Sequence, residues 1–248
     1  MEEGSYLYCI IGTGQARNFG PVGIGGCNDE VSTISYGDVS CVISRSPLKE
    51  YALSRENLLC HQRVIETVMK DYTVLPVRFS TISASPEDIR GLLRKRLPEF
   101  SGLLKQMDGK VELGLKAIWK EMGLIYGEVQ EDPEIKRVKE DLEGRRGGTL
   151  YEKIGLGRAV EEALGRKRDD EADSIVSAFK GLYSDMKRNK THGESMLLNA
   201  AFLVDTASTG GFDAIVRDLD RQIGKRVLLK YVGPVPIFNF VNIVVEWN

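Results

Sequence analysis

Histidine is nearly absent from this chain: 248 residues hold two, His61 and His192, and neither has a partner at zinc-ligand spacing. That leaves no histidine-based metal centre to read, and His61, next to Cys60 in a helical pattern, reads as a structural residue. Cysteine is sparse too. Cys9, Cys27, Cys41 and Cys60 are widely spaced, with no C-x-x-C, and are read as reduced thiols rather than a metal knuckle or redox pair. No apolar run approaches the roughly 20 residues that a membrane helix requires. The start, MEEGSYLYCII, is acidic and runs directly into a strand pattern, without the basic opening and small-residue cleavage site of a signal peptide. The cytoplasm is therefore the expected compartment. Neither sign of charge is in excess, with 34 basic residues against 36 acidic ones. This removes the basic surplus of a nucleic-acid binder, and no aromatic-basic RNA-binding signature occurs.

Catalytic signatures are missing as well. Gly12-Thr13-Gly14 follows a first strand as a dinucleotide-binding turn would, but Arg17 stands where the third glycine belongs. Asn18-Phe19-Gly20-Pro21 then interrupts the helix that should carry a pyrophosphate. Neither a G-x-S-x-G elbow nor a G-x-x-x-x-G-K-[ST] loop is found. The reading is of a protein that is not an enzyme and needs no metal or cofactor.

The patterns that are present alternate between strand and helix. Tyr6–Ile11 reads as a strand, Gly12–Asp29 as a long glycine-rich loop, and Val31–Tyr36 with Val39–Ser44 as a hairpin turning at Gly37-Asp38. Ser54 opens a helix reaching about Lys70. Tyr72–Thr81 reads as a strand whose Pro76, lacking an N–H, belongs at an edge or bulge. Ser85-Pro86-Glu87-Asp88 opens a further helix that Pro98 should kink or split. Lys110–Trp119 alternates as a strand. From Glu121 to Met186 the chain is highly charged and helical in pattern, with Thr149 and Glu152 at capping-box spacing. Its mixed charges read as a solvated helix surface. Ser195–Asp205 reads as a strand buried on both faces, Phe212–Ile223 as a helix stopped by Gly224, and Val227–Val232 with Ile237–Glu246 as a final pair of strands. Together these give an α+β protein of two domains, mainly antiparallel sheets with packed helices, divided into residues 1–120 and 121–248.

Four segments in this order carry a family resemblance. The first is Tyr6–Gly12 with the hairpin ending Asp38–Ser44. The second joins His61, Val64 and Ile65 to Leu75-Pro76-Val77-Arg78-Phe79-Ser80-Thr81. The third is Gly109–Trp119. The last pairs Leu198–Val204 with Gly233-Pro234-Val235-Pro236-Ile237-Phe238-Asn239-Phe240-Val241. In this the chain resembles the GvpL/GvpF family of gas vesicle accessory proteins. It departs from the family pattern at Ser80, where members often carry glycine, at Ile237-Phe238, where Pro-Tyr is common, and at Val235, where many have tryptophan.

The resemblance implies a ferredoxin-like element in at least one domain. It also implies a minor vesicle protein needed for assembly, associated with the vesicle, and bound to the small hydrophobic shell protein GvpA and to other accessory Gvp proteins. The expected contact is a strand edge or groove marked by prolines, with candidate residues Pro76, Arg78, Phe79, Gly233, Pro234, Pro236, Phe238 and Phe240. Simple packing competes with that assignment: Arg78 as a buried partner and the phenylalanines as core. A small-ligand regulatory module, binding a metabolite in a cleft, is the rival from another class. An enzyme with a dispersed site is a third.

Overall fold

The computed structural model describes residues 3–25, 29–144 and 149–247. The chain forms two compact units, one of Met1–Glu112 with Gly233–Asn248, the other of Leu113–Val232. The sequence division at 120/121 lies near the first crossing between them. The return at Val232–Gly233 coincides with the start of the run Gly233-Pro234-Val235-Pro236.

The first unit is a six-stranded sheet of β1 (Glu3–Ile11), β2 (Asn18–Gly23), β3 (Asp29–Tyr36), β4 (Val39–Pro47), β5 (Val74–Pro76) and β6 (Ile82–Ser83). The order is β2-β3-β4-β1-β5, with β6 also on β1. β1 lies inside the sheet because its run Tyr6–Ile11 has no polar face, and all six side chains are buried. The β3–β4 hairpin turns at Gly37, whose φ of 61° suits glycine. Helices α1 (Arg55–Val68), α2 (Pro86–Lys95) and α3 (Leu97–Met107) complete the unit. Ser54 caps α1 and Ser85 caps α2, each accepting the third-residue N–H. The split expected from Pro98 falls at Arg96, and Pro98 sits in the first turn of α3, where an N–H has no partner to lose.

Three sequence expectations need correction here. The loop expected over Gly12–Asp29 contains β2, because an edge strand needs hydrogen bonds on one side only and tolerates Gly20 and Pro21. The strand expected over Tyr72–Thr81 is regular only over Val74–Pro76, since Pro76 cannot donate and Ser80 turns into the left-handed region at φ 63°. Cys9 and Cys41 are buried free thiols, but Cys60 is disulfide-bonded, which corrects the reading of every cysteine as a thiol. Spacing cannot tell which cysteines a fold brings together. Cys27 lies outside the described residues.

The second unit holds β7 (Lys110–Trp119), α4 (Met122–Gln130), α5 (Pro133–Gly144), α6 (Leu150–Ser177), β8 (Asp185–Arg188), β9 (Met196–Asp205), α7 (Thr209–Ile223) and β10 (Val227–Val235). Its sheet order, β10-β7-β9-β8, with helices after β7 and β9, is the β-α-β-β-α-β split arrangement of a ferredoxin-like fold. Leu113, Leu115, Ala117 and Trp119 on β7 and Leu198, Ala200, Phe202 and Val204 on β9 face Ala172, Ile175, Val176 and Phe212 from the helices. The capping box forms: Thr149 N–H donates to Glu152 at 2.7 Å, and Glu152 N–H donates to the Thr149 hydroxyl at 3.3 Å. Helix α6 stops at Ser177, and Met186 lies instead on β8. Four residues with one apolar side chain carry too little alternation to be read as a strand.

The expected final hairpin is half right. Val227–Val235 is a strand, but Ile237–Glu246 is not. Pro236 and Ile237 carbonyls accept from Phe238, Phe240 and Val241 N–H groups at 2.7–3.0 Å, which rolls the chain into turns. No helix among the described residues is long and apolar enough to cross a membrane.

Candidate functional site

The motif Pro76-Val77-Arg78-Phe79-Ser80-Thr81 is held from both sides within the first unit. Val77 N–H donates to the Tyr8 carbonyl at 2.9 Å, and Leu7 N–H donates to the Thr81 carbonyl at 2.9 Å. The other side is closed by the returning C-terminal segment. Arg78 N–H donates to the Ile243 carbonyl and Ile243 N–H donates to the Pro76 carbonyl, both at 3.0 Å. Pro76 therefore ends the last strand in the sheet order, but its edge is already covered by the chain itself. A partner strand pairing at Pro76 has nowhere to bond, and a groove replaces the open edge as the site to consider.

Two polar clips fasten that segment. Asn239 donates its backbone N–H and its side-chain amide to the buried carboxyl of Glu112, at 2.8 and 2.6 Å. Arg96 donates to the Val244 carbonyl at 2.9 Å while pairing with Glu99 through two bonds of 2.8 and 2.6 Å. The Arg96 hydrogen bonds hold the Glu99 carboxyl below its ordinary range. Around and between the clips, Ile237, Val241 and Ile243 are buried, so apolar packing and polar bonds point the same way.

Behind the motif lies an aromatic layer. Phe79 meets His61 edge-on at 5.7 Å and Tyr6 at 6.3 Å between ring centroids, and Tyr51 meets Tyr6 at 5.5 Å. Burial lowers the His61 pKa to about 4, although its bond to the Val77 carbonyl works the other way. The neutral ring donates to Val77 and accepts from the Tyr6 hydroxyl at 3.0 Å, so both nitrogens are in structural use. Tyr6 in turn accepts from Ser80 N–H at 3.0 Å. Ser80 stands at the left-handed φ where glycine is less strained, which gives a physical reason for the glycine common there in the family pattern. Its hydroxyl accepts from Tyr51 N–H at 2.9 Å, a bond that glycine cannot make.

On the outer side, residues 48–53 and 78–82 with Val244, Val245 and Trp247 line a groove of about 860 Å³. Its lining includes Leu48, Leu53, Val244 and Trp247, which are 40%, 80%, 42% and 40% exposed, so four large apolar side chains meet solvent in one groove. Arg78 lies in this groove, exposed, and its guanidinium has no hydrogen-bond or ion-pair partner among the described residues.

The sequence-predicted residues thus divide. Arg78 and Phe79 line the groove, and Arg78 is not the buried partner that the packing alternative supposed. Pro76 and Pro236 are buried, and Phe238 packs on the same core cluster as Phe79. Phe240 is half-buried and does not line the groove. Gly233 and Pro234, joined by a cis peptide bond, are exposed where β10 ends. Leu48, Leu53, Val244 and Trp247 were not anticipated. They come from segments far apart in sequence, and no local pattern joins them.

The second unit carries its own electrostatic cluster. Arg226 binds Glu128 and Glu171, Lys167 binds Glu128 at 2.7 Å, and Trp119 Nε1 donates to Glu171 at 2.7 Å. Bonds from Arg226 and Lys167 pull the Glu128 pKa from 4.5 to about 2. For Glu171 burial pushes upward, but the Arg226 and Trp119 hydrogen bonds together prevail and lower it. A lowered folded-state pKa stabilises the fold above the unfolded value and loses that contribution as pH falls through the folded value. The stability difference between the protein and Glu128→Gln is therefore expected to be full above pH ~4.5 and to vanish near pH ~2. Solvent at this partly exposed group keeps the difference small. Urea midpoints at several pH values test this, and a difference that is constant with pH contradicts it.

Comparison with known proteins matches the whole layout. A family model described as gas vesicle synthesis protein GvpL/GvpF matches residues 4–242. The chain is 28% identical to gas vesicle protein F of Streptomyces sp. (strain CB03234), covering 89% of this chain and 91% of that relative. The crystal structure of GvpF from Microcystis aeruginosa superposes with a TM-score of 0.81 at 24% identity, covering 96% of this chain and 98% of the other. GvpF from Anabaena sp. PCC7120 gives 0.82 at 22% identity, covering 97% and 99%. At these identities the structures establish a shared fold.

Proposed function

Because the chain belongs to the GvpL/GvpF family of gas vesicle synthesis proteins, we propose that it works in vesicle assembly as a non-enzymatic adaptor. It binds the small shell protein GvpA and other accessory Gvp proteins, first in the cytoplasm and then at the vesicle. The observation that carries this reading is the groove beside Arg78, where large apolar side chains stand exposed next to a hydrogen-bonded backbone. A small hydrophobic shell subunit is an aggregation hazard until it is incorporated. An adaptor that covers part of its apolar surface keeps it soluble and presents it for ordered addition.

The frame suits that task. The Arg78 motif is bonded to β1 on one side and to the C-terminal segment on the other, so little order is left to impose on binding. Deleting the gene is expected to abolish intact vesicles, and the wild-type chain is expected to restore them. Purified chain is expected to capture the shell protein, and Arg78→Ala/Trp247→Ala to lose that capture while keeping its circular dichroism spectrum. Full vesicle formation in the deletion strain would overturn the assembly role. Undiminished capture by the folded double variant would remove the groove from it.

A further inference from the structure

The groove has a chemical preference beyond being apolar. We infer that it recognises a peptide segment of the shell protein in which one carboxylate is flanked by aliphatic or aromatic side chains, with Arg78 receiving the carboxylate. This rests on the shell-protein reading above and specifies what that partner must display.

Three features support the assignment. The guanidinium of Arg78 is exposed, has no hydrogen-bond or ion-pair partner among the described residues, and belongs to the lining of the groove. Arg78 also sits on a hydrogen-bonded backbone: its N–H is bonded to Ile243, and its carbonyl accepts from the Thr81 hydroxyl at 2.6 Å. The backbone is fixed at the groove, and a planar fork of free donors there suits a planar, bidentate acceptor such as a carboxylate. Finally, the exposed apolar side chains of Leu48, Leu53, Val244 and Trp247 share the lining with Arg78 and would exclude water from the pair once occupied. An ion pair sheltered in this way is worth more than the same pair on an open surface.

The remaining charges in the lining narrow the partner. Lys49 and Glu50 are of opposite sign, so Arg78 leaves the groove with one net positive charge. That complements a single carboxylate. A continuous anionic surface, such as a lipid headgroup layer, would meet Glu50 unfavourably, and its flatness does not match a concavity walled by three chain segments.

The test uses the full chain and overlapping peptides tiling the shell-protein sequence, each carboxylate-bearing peptide paired with its Asn or Gln counterpart. At least one apolar peptide with a carboxylate is expected to bind about tenfold more tightly than its amide counterpart. Arg78→Gln is expected to erase that difference while still binding both forms weakly. Trp247→Ala is expected to weaken both forms and keep the difference. Binding that is indifferent to the amide exchange, or unchanged in Arg78→Gln, overturns the inference while leaving capture of the intact shell protein standing. Failure to capture the intact shell protein overturns the adaptor reading itself. Binding to phosphatidylserine vesicles that both substitutions abolish, with no peptide bound, would assign the groove to lipid instead.

Discussion

Phe202→Ala is expected to destabilise the second unit by about 3–5 kcal/mol, the range for deleting a buried aromatic ring from a core. Phe202 lies on β9, between β7 and β8, and is fully buried. Its ring centroid is 5.1 Å from Phe212, 5.5 Å from Phe179 and 5.2 Å from Tyr183, so one truncation strips contacts from three rings. Phe179 and Phe212 are themselves stacked at 4.2 Å, which limits how far they can move to fill the space. A cavity that cannot collapse costs more than the transfer energy of the lost atoms alone. Phe202→Leu, which keeps most of the volume, should cost about 1 kcal/mol. Urea unfolding followed by circular dichroism reads both. An alanine effect below about 1 kcal/mol would mean that the cluster is not the centre of this core.

Glu112→Ala is expected to cost about 3 kcal/mol locally, and to loosen the C-terminal segment rather than the whole unit. The buried carboxyl accepts both the N–H and the side-chain amide of Asn239, and removing it leaves two donors without that acceptor. Donors that lose a charged acceptor lose most of the return on their desolvation. Asn239 sits between the buried anchors Ile237 and Val241, so the strain is passed to the stretch that covers the Pro76 edge. Amide hydrogen exchange at Asn239, Val241 and Ile243 should accelerate well beyond that of the β1–β4 ladder. Trp247 fluorescence should shift as the groove wall opens, with Trp119 as the internal reference. Unchanged exchange at these three amides would show that the Glu112 clip does not hold the segment. If the adaptor reading is right, the same variant should also bind the shell protein less well, because Val244 and Trp247 form one wall of the groove.

The elements that were legible in sequence share a property: their determinants are local. Ser54, Ser85 and the Thr149–Glu152 box announce helix starts because a cap bonds only two or three residues ahead. Lys110–Trp119 announces a strand because one face of a sheet repeats every second residue. The elements that were missed depend on partners elsewhere. β2 exists because β3 pairs with it, in spite of Gly20 and Pro21. β8 exists because β9 offers it a register from Leu203 to Ala200. Ile237–Glu246 fails as a strand because its hydrogen bonds are satisfied in turns and by Pro76 and Arg78.

The same division runs through the candidate site. The sequence by itself determined that this is an α+β chain with family motifs in order, and it drew attention to Arg78 and Phe79. Those conclusions rest on periodicity, capping and motif spacing, which are written along the chain. Only the tertiary structure decided that the Pro76 edge is closed by the segment around Ile243, that Arg78 has no partner among the described residues, and that Leu48, Leu53, Val244 and Trp247 line the same groove. Each of these depends on which distant segments share a surface, and on which polar groups have already found partners there. That information exists only once the chain has folded back on itself.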